Sequence, residues 1–259
     1  MGKIITVTNQ KGGVGKSSST SAIASLLHKA GHKTLCIDAD KQCNTTDTYA
    51  AQRDNVATIY DLFNGTEGVT AENAIQHTEY GDIIPSDPLL VEIETKIQAN
   101  PIANMFKMRD FLTEIKEEYE YIIIDTNPST ILITTSCLIA SDEVIVPLLP
   151  DRYSLQGLND VLNTIYGVQR SSNTSLKIDG IFLVRYHSNF TFEREVRRDL
   201  EKACEALGVP MFNTTIRDSV KLREAQALQI PLIEHDPKNN AIIDYKSLVK
   251  EAFGVKVGK

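Results

Sequence analysis

Short apolar runs alternate along this chain with longer segments in which apolar residues recur every three or four positions. Ile4–Thr8, Thr34–Asp38, Tyr121–Asp125, Glu143–Pro147, Ile178–Arg185 and Met211–Thr215 read as strands. Between them, Lys16–Ala30 reads as a helix with Gly31 as its C-terminal stop. Met105–Glu118, Leu155–Val168, Phe192–Leu207 and Asn240–Phe253 carry the same helical spacing. The stretch from Thr45 to Ala103 is less regular, with a short helical pattern at Thr58–Phe63 and a strand near Asp82–Pro85. In Tyr121-Ile122-Ile123-Ile124-Asp125 the apolar residues are continuous, the mark of a parallel strand buried on both faces. The alternation predicts an α/β fold: a doubly wound, mostly parallel sheet with helices on both faces and ligands at the carboxyl ends of its strands. No repeat, low-complexity stretch or Pro/Gly/Ser-rich linker interrupts it, so residues 1–259 are expected to form one domain.

Composition narrows the class. With 259 residues and 42% apolar content the chain can bury a substantial core. No apolar run approaches the roughly 18 to 20 residues that span a bilayer, and the N-terminus enters a strand without a charged-then-apolar leader. A cytoplasmic protein is expected. Cys36, Cys43, Cys137 and Cys204 lie far apart, with neither the pairing of a disulfide framework nor the spacing of a zinc site. A formal net charge of −7 excludes a chain that coats nucleic acid over its whole surface, so any such binding must be local.

The chemistry concentrates directly after the first strand, in Asn9-Gln10-Lys11-Gly12-Gly13-Val14-Gly15-Lys16-Ser17-Ser18. A strand that ends in a glycine-rich turn and opens a helix aims backbone N–H groups and the positive helix terminus at one point, a cradle for phosphate. Residues Lys11 to Ser18 are the candidate nucleotide contacts. Lys16 reaches the terminal phosphates and the Ser17 hydroxyl is a candidate Mg²⁺ ligand. The match to the P-loop template GxxxxGK[ST] is incomplete, because Gln10 stands where the first glycine belongs, followed by a second lysine, Lys11. That extra ammonium can serve its own nucleotide or a neighbouring subunit's.

Carboxylates close two of the predicted strands. Asp125 ends an apolar strand beside the loop, the usual way such folds bring an acidic group to Mg²⁺. Asp38 and Asp40 are two apart, so in extended backbone they share one side. Either they face the phosphates, where a carboxylate orients the attacking water, or Asp38-Ala39-Asp40 simply makes a turn.

With Lys11–Ser17, Asp38-Ala39-Asp40 and Asp125 in this order, the chain resembles the ParA-type partition ATPases of the deviant Walker A group, the ParA/MinD superfamily. The resemblance runs the whole length and includes Asp38–Asn44, similar to the family's DxDPQGN stretch, and Ile230–Pro237. It implies a P-loop ATPase using ATP and Mg²⁺ that forms a sandwich homodimer on binding ATP. Lys11 would reach the partner's nucleotide, Lys16 hold phosphates in its own subunit, and Ser17 ligate Mg²⁺. Asp40 would orient the water, with Asp38 and Asp125 supporting the metal. Three positions depart from the pattern: Lys41 replaces proline, Cys43 replaces glycine, and Thr126-Asn127 replace a Cys-Pro type pair. Losing a fixed φ at one site and the freedom of positive φ at another predicts an altered loop and slow turnover. The base is expected to be adenine, lying near Leu183–Tyr186 and the loop after Thr215.

Three roles compete for such an ATPase. A partition motor binds nonspecific DNA as an ATP dimer and is released by hydrolysis that a centromere-binding, ParB-like partner stimulates. A MinD-like ATPase binds membrane through a basic amphipathic C-terminal helix. The third is an enzyme of synthesis or electron transfer. In Asn240–Phe253 the apolar positions Ile242, Ile243, Tyr245, Leu248, Val249 and Phe253 suit a helix docked on the sheet, so no stable membrane association is expected. Cys137 has no evident second ligand for a cluster. For DNA, Arg194, Arg197 and Arg198, with Arg217 and Lys221, form the candidate basic surface. The same residues also read as an ordinary solvated helix face, because acidic residues are interspersed. The resemblance favours DNA and a nucleoid-associated location.

Overall fold

The computed structural model describes residues 2–128 and 131–258. Among them seven strands form one sheet: β1 (Lys3–Val7), β2 (Thr34–Ala39), β3 (Gln76–Thr78), β4 (Gly81–Ile84), β5 (Tyr121–Thr126), β6 (Glu143–Leu148) and β7 (Lys177–Leu183). Their spatial order is β3-β4-β2-β5-β1-β6-β7, parallel except for the edge strand β3. The helices are α1 (Lys16–Lys29), α2 (Asn44–Thr48), α3 (Ile59–Asn64), α4 (Leu90–Ala99), α5 (Pro101–Asn104), α6 (Lys107–Ile115), α7 (Ile131–Ala140), α8 (Ser154–Ser171), α9 (Thr191–Leu207), α10 (Val220–Ala227), α11 (Leu232–His235) and α12 (Asn240–Phe253).

Side-chain alternation along the strands assigns the faces. Ile5, Val7, Cys36 and Ile123 pack under α1, α11 and α12, whereas Ile4, Leu35, Ile37, Ile122 and Ile124 pack under α3, α4, α6 and α7. Toward the β7 edge, Val144, Val146, Ile181 and Leu183 meet α8 and α9. Each isoleucine so buried contributes about 1.5–3 kcal/mol, and both faces are covered, as the continuous apolar strands predicted. By the same parity Asp38 and Asp125 fall on the α1 side with Cys36 and Ile123. The ladder then places Asp38 opposite Asp125, and Asp125 opposite Val7 at the end of β1. The sheet thus delivers both carboxylates to the root of the glycine-rich loop.

Two expectations need correction. Met211–Thr215 is not a strand; Met211 makes an isolated bridge to Ile181, and Ile216, just past the segment, makes another to Val184. The backbone N–H groups of Asn213 and Thr214 donate instead to the Glu251 carboxylate of α12, at 2.7 and 2.9 Å. The Phe212 ring occupies the space over Gly180, where an added Cβ would lie 2.5 Å from it. In α12, Ile243 is exposed rather than docked; Ala241, Ile242, Tyr245, Leu248 and Val249 make the contact with the core. The segment beyond α12 also turns inward, with Val255 buried and Val257 packed against the core.

Candidate nucleotide site

The loop between β1 and α1 turns through Gly13 (φ +72°) and Gly15 (φ +74°), left-handed backbone that side chains resist. Gly15 caps α1. The N–H groups of Gly13, Gly15, Lys16 and Ser17 donate to no described residue, and they sit at the positive end of the α1 dipole. Gln10, in place of the template glycine, ties the loop to α8 through its amide, 2.7 Å from Thr164 Oγ1.

A cavity of about 590 Å³ opens on this loop. Gly13, Gly15, Lys16, Ser17 and Ser18 form one side and Asp40, Lys41 and Asn127 another. Arg185, Leu222, Ala225 and Gln226 complete the wall. The Lys16 side chain is nearly buried, and its ammonium donates to the Lys11 carbonyl at 3.1 Å. Burial pulls Lys16 below its ordinary pKa, and the Asp125 and Asp40 carboxylates oppose that shift. Val14, counted among the nucleotide contacts, has a buried side chain and can serve only through its backbone.

Lys11 is placed differently. Its ammonium does not line the cavity of its own chain but pairs with the Asp151 carboxylate and lies 5.7 Å from the centre of the Tyr153 ring.

The three aspartates have separate environments. Asp125 is fully buried; Thr45 Oγ1 donates to its Oδ2 at 2.7 Å, and Thr20 Oγ1 lies 3.4 Å from Oδ1. Burial raises the pKa of Asp125, while hydrogen bonds from Ser17 and Thr45 and the Lys16 ammonium lower it. Asp38 does not reach the cavity. Its Oδ2 accepts from the Thr46 N–H and hydroxyl at 2.8 and 2.7 Å, and its Oδ1 from the Asp40 N–H at 3.0 Å. Burial and then the nearby Asp125 carboxylate push Asp38 up. Of the two-apart pair only Asp40 lines the cavity, because the chain has left the strand after Ala39. Asp40 Oδ1 accepts from the Gln42 N–H at 2.9 Å and from the Asn127 side-chain amide. Ser86 Oγ donates to the Asp40 carbonyl at 2.8 Å.

The donor set fits a nucleoside triphosphate with a divalent cation. Unbonded loop N–H groups and a buried ammonium suit polyphosphate, and a serine hydroxyl backed by a buried carboxylate suits Mg²⁺.

One substituted position of the loop retains left-handed backbone. Cys43 adopts φ +56°, the conformation glycine would take, and caps α2 with its thiol buried and pushed up to about 11 by that burial. Left-handed backbone costs a non-glycine residue roughly 1–2 kcal/mol. A positive φ is therefore kept at this position, in a residue that resists it.

Sequence reasoning missed several participants. Thr20 is one turn beyond Lys16 on α1, and that spacing was a usable signal. Thr45, Thr46 and Ser86 carry no motif. Arg185 does lie in the region expected for the base, at φ +55°, but the wall formed by α10 had no periodic signal.

The candidate basic surface is largely self-neutralised. Arg197 pairs with Glu201 at 2.7 Å, Arg217 with Asp244 at 2.7 Å and Lys221 with Glu224 at 2.7 Å. Arg194 donates to the Ser188 carbonyl and Thr191 hydroxyl, both at 3.1 Å. Arg198 is exposed on α9. Arg217 lies on the segment before α10, apart from α9 in sequence.

Loop, lysines and carboxylates on a mostly parallel sheet define a P-loop nucleoside triphosphatase of the kind with a second loop lysine. A family described as AAA domain (AAA_31) matches residues 2–178. The chain is 32% identical over 252 residues to the sporulation initiation inhibitor protein Soj of Bacillus subtilis, covering 97% of this chain and 98% of Soj. It is also 32% identical over 254 residues to the chromosome partitioning protein ParA of Myxococcus xanthus, covering 97% and 88%. The chain belongs to this ParA/Soj family. The solved structure of a cobyrinic acid a,c-diamide synthase from Mycobacterium smegmatis, with bound ADP and magnesium, has a TM-score of 0.83 at 25% identity, covering 96% of this chain and 93% of that one.

Proposed function

We propose that this chain is an Mg²⁺-dependent partition ATPase acting as one domain and as an ATP-induced homodimer. The observation that carries the reading is the divergence of the two loop lysines: Lys16 lines the cavity, and Lys11 is turned outward onto Asp151. An outward ammonium beside the nucleotide loop suits a second subunit's phosphates better than its own. Lys16 and the loop N–H groups bind the phosphates. Ser17, with Asp125 behind it, would hold Mg²⁺, which would supply charge neutralisation to the bound phosphates. Asp40 orients the attacking water, and Asp38 shapes the loop that carries Asp40.

The dimer binds nonspecific DNA through α9 and the Arg217–Lys221 segment, and a ParB-like centromere-binding protein stimulates hydrolysis and release. The full-length 32% relatives support this role over the synthase chemistry of the structural neighbour. The docked C-terminal helix supports a nucleoid rather than a membrane location. Among the described residues no helix is long and apolar enough to cross a membrane.

Titration of random-sequence DNA with ATP, ADP or no nucleotide tests the reading, alongside ATP turnover. Binding is expected with ATP alone, and turnover above that of Lys16→Ala; binding that ignores nucleotide state would overturn it.

A further inference from the structure

The side-chain amide of Asn127, the residue that follows β5, points not at solvent but at Asp40. Asn127 is nearly buried, and Thr134 Oγ1 of α7 donates to its backbone carbonyl at 3.1 Å, fixing the segment that carries it. Its Nδ2 and the Gln42 N–H both donate to Asp40 Oδ1, one from the end of the central sheet and one from the loop after β2. Asp40 Oδ2 accepts nothing from the described residues, while the residue itself lines the cavity.

We propose that Asn127 is a positioning residue for hydrolysis: by holding Asp40 Oδ1 it sets the plane of the carboxylate and presents Oδ2 to the reacting end of the nucleotide. The terminal torsion of an aspartate is broad, so a single donor leaves the plane loosely defined. Two donors from different elements define it. Because a misplacement of about 1 Å in a reacting group can cost on the order of 100-fold in rate, the amide acts on turnover rather than on ATP affinity. The arrangement also makes closure of the β2–α2 loop register against β5, since only then does the amide meet Asp40. The positioning role rests on the assignment of Asp40 to orienting the water.

Single-turnover hydrolysis of Mg-ATP by the full-length chain, with equilibrium binding of a fluorescent ATP analogue, tests it. Asn127→Ala and the near-isosteric Asn127→Leu are expected to slow hydrolysis about 10- to 100-fold with analogue affinity within about threefold of the parent, well inside one decade. Asn127→His, whose Nδ1–H can stand where the amide nitrogen stands, is expected to recover much of the rate. In an Asp40→Asn background, Asn127→Ala is expected to cost nothing further, as for two groups acting as one unit. If Asp40→Asn is slow while both Asn127 variants turn over normally, the inference fails and the role of Asp40 survives. Normal turnover by Asp40→Asn removes the assignment beneath it. A loss confined to ATP affinity would make Asn127 a nucleotide contact and overturn the positioning role.

Discussion

Charge is managed in opposite ways at the carboxyl ends of β1, β2 and β5 and on the surface of α9 and the segment before α10. In the first region Lys16, Asp38, Asp40 and Asp125 are buried, with strand register fixing Asp38 and Asp125, and the loops that leave β1 and β2 carrying Lys16 and Asp40. In the second, Arg197, Arg217, Lys221 and Arg223 are each matched by a nearby carboxylate. A sequence motif is informative where burial leaves a charge no freedom. A count of basic residues on an exposed helix says little until their partners are known.

The strongest way to break this contrast is at the buried end. Lys16→Ala is expected to weaken ATP binding roughly 10- to 100-fold, the worth of a charge-assisted hydrogen-bond set, read by analogue titration. Lys11→Ala is expected to leave that affinity near the parent's while removing hydrolysis and the ATP-dependent dimer, read by light scattering. Equal phenotypes would erase the distinction between inward and outward lysines. A smaller effect separates the aspartates. Asp38→Ala leaves the Thr46 and Asp40 donors without their acceptor, and a loss of about 1–3 kcal/mol in unfolding free energy is expected. Asp38→Asn, which keeps an acceptor, should recover part of it in urea melts; no change in stability from either would return Asp38 to a role in the cavity. The smallest effect lies on the surface. Glu201→Gln and Asp244→Asn release Arg197 and Arg217, and each further phosphate that a freed arginine neutralises should steepen the salt dependence of DNA binding by about one unit of log–log slope. An unchanged slope would exclude both arginines from the DNA surface.

The same contrast governs what could be read in advance. The strands at Tyr121–Asp125 and Thr34–Asp38 and the helix Asn240–Phe253 were legible because uninterrupted or periodic burial leaves a pattern in the residues. Met211–Thr215 misled because Phe212 does pair with β7 through its N–H to the Ile181 carbonyl, yet the next two N–H groups, of Asn213 and Thr214, are taken by the Glu251 side chain, a partner nearly forty positions away that no local pattern can announce. For the site, type and spacing pointed to Lys16, Ser17 and Asp125, and the resemblance to Asp40; the cavity brings Lys16, Ser17 and Asp40 together. Asn127 was noticed only as a departure, since its value lies in meeting Asp40 across two loops. Asp38 and Asp40 looked equivalent until the end of β2 separated them.

Glu251 has a companion in Asp244, which holds Arg217, and in Asn239, which meets Ser219; Tyr245 meanwhile reaches the Ser19 hydroxyl of α1 at 2.9 Å. The α10 wall of the cavity therefore hangs from the last helix of the chain. A disturbance of α12 would therefore be felt at the nucleotide cavity through α10, although α12 itself contributes no residue to the lining.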